Sequence, residues 1–158
     1  MQNLTTYLND HLAGSVAALE LIDRLVETYR GDPLGQFFKE LRAEIAADQE
    51  QLEELIDRLG EKESAVRKAV AWIFEKLSRA KIQPGRSKKG ELGLLQALEA
   101  LLLGITGKRA LWRALAAAAQ NNPGLRKLDY ARLEQRAIEQ SEHFDAKRVE
   151  IARAALCT

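Results

Sequence analysis

The chain predicts an all-α protein, a four-helix bundle with one additional crossover helix. Two observations carry that prediction. Apolar residues recur at the helical period along four segments of about 27–30 residues, and no stretch alternates as a half-buried strand does. Alanine and leucine abound while β-branched residues are sparse, so helix propensity agrees with the periodicity.

The boundaries are written in the punctuation. The first helix is expected over Leu4–Arg30 and stops at Gly31-Asp32-Pro33, a C-terminal glycine, a capping aspartate and a first-turn proline. The second is expected over Pro33–Leu59, ending at Gly60. Ser64 can cap a shorter third helix reaching Ile82. The segment Gln83–Gly90, rich in breakers and bases, is expected as a loop. A fourth helix is expected over Glu91–Gln120, ending before Asn122-Pro123-Gly124, and Asp129 can cap a fifth that reaches Leu156. Tight turns make helices one and two, and four and five, antiparallel pairs. If the third helix and its loop climb the bundle, the two hairpins are joined by one long crossover.

The 158 residues fit one domain, 1–158, large enough to bury a core without a staple. The single cysteine, Cys157, excludes an internal disulfide, and Met1–Asn3 lacks the basic region of a signal peptide. The longest apolar runs, Ala100–Leu103 and Ala114–Ala119, are far short of a membrane span. A cytoplasmic location is the expectation. Net charge is +1, but unevenly spread: residues 1–63 hold 14 acids and 6 bases, and residues 64–158 hold 9 acids and 18 bases. Acidic helices packing beside basic ones accounts for this without nucleic acid.

The inward stripes are expected at Leu4, Leu8, Leu12, Val16, Leu19, Ile22 and Val26 on the first helix. On the second they run from Leu34 through Phe37, Leu41, Ile45 and Leu52 to Leu59. Polar residues on such stripes are informative, because burying them costs free energy unless they are partnered. His11 lies near the first stripe and Asp48 near the middle of the second, with Glu44 one turn away on the flank. Lys108 and Arg109 flank the stripe of the fourth helix, and Gln140, Ser141 and Arg148 face inward on the fifth. The expected result is a buried network of His11, Asp48, Arg109 and Arg148, in which Asp48 pairs with Arg148 or Arg109 and Glu44 and His11 sit at its edge.

The second helix, Phe38-Lys39-Glu40-Leu41-Arg42-Ala43-Glu44-Ile45 followed by Asp48 and Leu52-Glu53-Glu54-Leu55, resembles the ferritin-like superfamily, and in particular its small bacterial stress-associated members. Leu98-Glu99-Ala100 through Gly107-Lys108-Arg109-Ala110-Leu111-Trp112 would take the place of that family's third bundle helix. The resemblance implies a two-metal site built from one glutamate on each of two helices and a Glu-x-x-His pair on each of the others. This sequence contains no Glu-x-x-His, and His143 follows Glu139 by four residues on an outward face. The expectation is therefore a bundle with no metal and no cofactor, acting as an interaction or structural module, stress-related by resemblance only, and pairing as a homodimer with unidentified protein partners.

Two other functions compete with it. One is a metal-binding oxidase or storage protein using a non-standard site at His11, Glu44 and Asp48. The other is a nucleic-acid or membrane-surface binder using the basic run Lys76, Arg79, Lys81, Arg86, Lys88 and Lys89, which has no interleaved aromatics for stacking. Trp72 is expected to point away from the core. Nothing resembles a nucleophilic triad or a phosphate-binding loop.

Overall fold

A computed structural model describes residues 2–60, 70, 71, 75 and 88–157, with the side chains of 88 and 89 excepted. Four long helices make up the described residues, with no strand among them: α1 (Gln2–Thr28), α2 (Pro33–Arg58), α3 (Lys88–Ala118) and α4 (Tyr130–Leu156). A short 3-10 turn, Pro123–Leu125, links the last two. Of the expected third helix, Val70, Ala71 and Glu75 are helical; the rest, Trp72 included, lies outside the described residues.

The α1–α2 turn follows its punctuation. Gly31 adopts φ 79°, which a side chain would resist. The Asp32 carboxylate accepts from the Leu34 N–H at 2.9 Å, capping α2 ahead of its orphan donors. Gly35 sits so close to the end of α1 that a Cβ there would lie 2.2 Å from the Tyr29 carbonyl oxygen. In the second hairpin, Asn122 caps the 3-10 turn and Asp129 caps α4. The Tyr130 hydroxyl donates to the Leu125 carbonyl at 2.6 Å and locks the turn.

Two apolar clusters fix the helix directions. One joins Leu21, Ile22 and Leu25 of α1 with Phe38 and Leu41 of α2, Leu94 and Leu98 of α3, and Phe144 of α4. The other joins Leu8 and Leu12 with Leu52, Leu55 and Ile56, Leu111, Trp112 and Leu115, and Leu133. Consequently α1 runs with α4, and α2 runs with α3 in the opposite sense. Leu59 meets the α3–α4 turn at Gly124, so the connection from Arg58 to Lys88 joins opposite ends of the bundle. That is the two-hairpin arrangement with one long crossover.

Two expectations need correction. The loop expected over Gln83–Gly90 ends sooner, because α3 already includes Lys88, Lys89 and Gly90. Gly90 is buried, and Glu91 in the first turn suits the positive helix end. The α1 stripe is also rotated. Ala13, Ala17, Leu21 and Leu25 are buried, whereas Leu4, Val16, Leu19 and Val26 are only half-buried. The small Ala13 and Ala17 bring their face close to the neighbouring helices, and the longer side chains beside them fill the flanks.

A charged centre and an adjoining cleft

Among the described residues, the buried polar or charged side chains are Asn9, Asp48 and Gln140. Asp48 reaches the bundle axis because it replaces an apolar residue on the Leu41–Ile45–Leu52 stripe, and only 2% of its side chain is exposed. Lys108 extends from α3 and donates to Asp48 Oδ2 at 2.5 Å and to Gln140 Oε1. The Gln140 amide in turn donates to Asp48 Oδ2 at 3.2 Å. Arg136, one turn before Gln140 on α4, brings Nη2 to 3.1 Å from Asp48 Oδ1. That contact is an ion pair without hydrogen-bond geometry. Three helices from both hairpins therefore meet at one carboxylate.

The charge balance explains the arrangement. Burial pushes the Lys108 ammonium below its ordinary pKa, and the Asp48 carboxylate opposes that shift. Arg136 keeps about a third of its side chain in water (32%), so the second cation is not stranded in the core. Glu44 is exposed and favours the Lys108 charge from a distance.

The cations expected beside Asp48 are corrected. Arg109 lies on the surface, bonded to Glu134 at 3.2 Å. Arg148 pairs with Asp145 at 2.7 Å and approaches Glu99 at 3.5 Å. Both flank the right helices, but Arg148 is three turns beyond Gln140's neighbour Arg136, and Arg109 turns away from the axis. Lys108 has the reach because its chain is long and unbranched. Arg136 was not foreseen, since it lies on the flank of α4 rather than on its stripe.

Beside the network a cleft of about 180 Å³ opens between α1 and α3. Ile45, Leu52, Leu101, Ile105, Leu111 and Trp112 make its apolar walls, and Asp48 and Lys108 lie at its floor. Its mouth is kept open by Gly14, Gly104 and Gly107, where an added Cβ would meet nothing within 4 Å. His11 lines the rim, edge-on to Tyr7 with ring centroids 4.7 Å apart. Its pKa is lowered by burial, partly offset by Asp10.

The alternative metal ligands are not assembled. His11 and Asp48 border this cleft, whereas Glu44 borders a separate small one with Phe37, Gln140 and His143. Among the described residues no group of three or more His, Cys, Asp or Glu side chains could hold a metal ion. His143 is exposed and packs edge-on against Phe37. Of the basic run, Lys76, Arg79, Lys81 and Arg86 lie outside the described residues, and Lys88 and Lys89 are described only as the first residues of α3.

Fold and centre together define an all-α four-helix bundle with a charged core. Compared with known protein families, curated proteins and solved structures, the chain has no match.

Proposed function

We infer that this chain is a degenerate ferritin-like bundle that acts as an interaction or structural module rather than through interior chemistry. The observation that carries the reading is the pairing of Asp48 with cations. Its carboxylate is taken up by Lys108, Arg136 and Gln140, and the two cations repel a metal at the place where a metal-binding bundle would need acids. A stress-related role follows from the resemblance of α2 and α3 alone.

The test is elemental analysis of untagged protein expressed with added iron, manganese and zinc. The expected result is metal well below one equivalent. A stoichiometric metal that disappears in Asp48→Asn would make the chain a metalloprotein and reverse the reading.

The cleft favours a second reading, a binding site for a small apolar molecule. Its volume is comparable to the roughly 150 Å³ of an engineered apolar cavity that takes up benzene. Saturable binding of fluorobenzene, followed by fluorine NMR and abolished by Gly104→Val, would support it. Binding that persists in the variant would place the ligand elsewhere.

A further inference from the structure

Part of the outer face of α3 carries apolar surface that the other described helices do not cover. Within Gly90–Ala118 one 18-residue stretch is apolar enough, by length and composition alone, for a membrane span, and 44% of that stretch is buried. Leu103 is 73% exposed and Leu92 is 45% exposed. Thr106, Ala110, Ala114 and Ala117 continue the same exposed face. An exposed leucine flanked by short side chains leaves room for another helix to approach closely.

Charge on this face has a symmetry that selects the occupant. Glu99 and Arg113 both point outward, with 53% and 65% of their side chains exposed. They lie about four helical turns apart at about 3.6 residues per turn, so they share one face, and Thr106 is midway between them. A two-fold axis through Thr106 would set each Glu99 opposite Arg113 of the other copy and each Leu103 against Arg109 and Ala110 of the other copy. Their own-chain partners, Arg148 for Glu99 at 3.5 Å and Glu134 for Arg113 at 3.7 Å, are loose contacts that leave both side chains able to bridge. A parallel pairing in register would instead put like charges together. We propose that the exposed face of α3 is an isologous docking surface for a second copy of this chain, packed antiparallel about Thr106, with reciprocal Glu99–Arg113 pairs at its ends.

This proposal rests on the interaction-module reading and names its partner. Sedimentation equilibrium at micromolar concentrations tests it. The wild type is expected to be a dimer, and Leu103→Glu a monomer with unchanged helical circular dichroism. Glu99→Arg and Arg113→Glu should each weaken the dimer about tenfold or more, because each places like charges at both ends. The double swap Glu99→Arg with Arg113→Glu should restore it. A monomeric wild type, a dimer indifferent to Leu103→Glu, or a double swap that fails to restore pairing would each overturn the proposal. A monomer that floats with lipid vesicles would assign the face to a membrane surface instead. None of these outcomes bears on metal content, so the two readings fail separately.

Discussion

Replacing Asp48 with alanine takes one negative charge out of a centre that holds two positive ones. Lys108 has only 14% of its side chain exposed, so its ammonium would be left in the core without a carboxylate. Removing one partner of a buried ion pair costs about 3–5 kcal/mol. Arg136 can relax into water and Lys108 can release its proton, which places Asp48→Ala near the lower end, about 3 kcal/mol. For a chain of this length each kcal/mol is worth roughly 2–4 °C, so the melting temperature should fall by about 6–12 °C. Urea denaturation followed by far-ultraviolet circular dichroism measures the loss directly. Adding Lys108→Met to Asp48→Leu should recover most of it, because an apolar pair of similar volume can replace a buried ion pair at little cost. A loss below about 1 kcal/mol for Asp48→Ala, or a Lys108→Met cost that simply adds to it, would refute a buried, coupled network.

Two further outcomes are expected. Because burial lowers the folded-state pKa of His11 beneath its ordinary value near 6.5, the unfolded chain binds more protons in the window between the two; stability should therefore fall as pH drops through about 6.5 and level off below the folded pKa. The stability difference between wild type and His11→Gln, measured by denaturation from pH 4.5 to 7.5, should change across that window, and a flat difference would contradict it. At the α1–α2 turn, Gly35→Ala would press a methyl group into the Tyr29 carbonyl and should cost about 1–3 kcal/mol, against a few tenths at exposed Gly124 if the Leu59 side chain yields. A thermal melt that leaves Gly35→Ala at the wild-type midpoint would show that the turn is looser than described.

The sequence disclosed the helices because their caps are local. Asp32, Asn122 and Asp129 act within three residues of themselves, and Gly31 needs only its own backbone to end a helix. It also disclosed Asp48 as a charge on an apolar stripe. The partners were not legible, since periodicity gives the angle of a side chain around its helix and not its height against a neighbouring one. Height separates Arg136 from Arg148, about three turns apart on α4, whereas Lys108 and Arg109, one residue apart, are separated by angle, and Arg136 lies on the flank of its helix. The cleft escaped for a related reason. Gly104 and Gly107 were visible together, but Gly14 joins them only once α1 lies antiparallel beside α3. The face of α1 was misjudged because alanines weigh little in a hydrophobic stripe, although Ala13 and Ala17 are the residues that allow the closest approach.

The contacts of Asp48 span long intervals of chain: 60 residues to Lys108 and 92 to Gln140. Each hairpin can form through nearby contacts, whereas this carboxylate is satisfied only after the two have docked. Contacts so distant in sequence carry a large loop-closure cost, so they are expected to close after the hairpins have formed. Their loss falls on the rate of unfolding more than on the rate of folding. A deficit of about 3 kcal/mol then shortens the lifetime of the folded state by roughly a hundredfold while refolding proceeds almost unchanged. Asp48→Ala is thus expected to shorten the time the two hairpins stay together once they have met, read as faster unfolding with little change in the refolding rate.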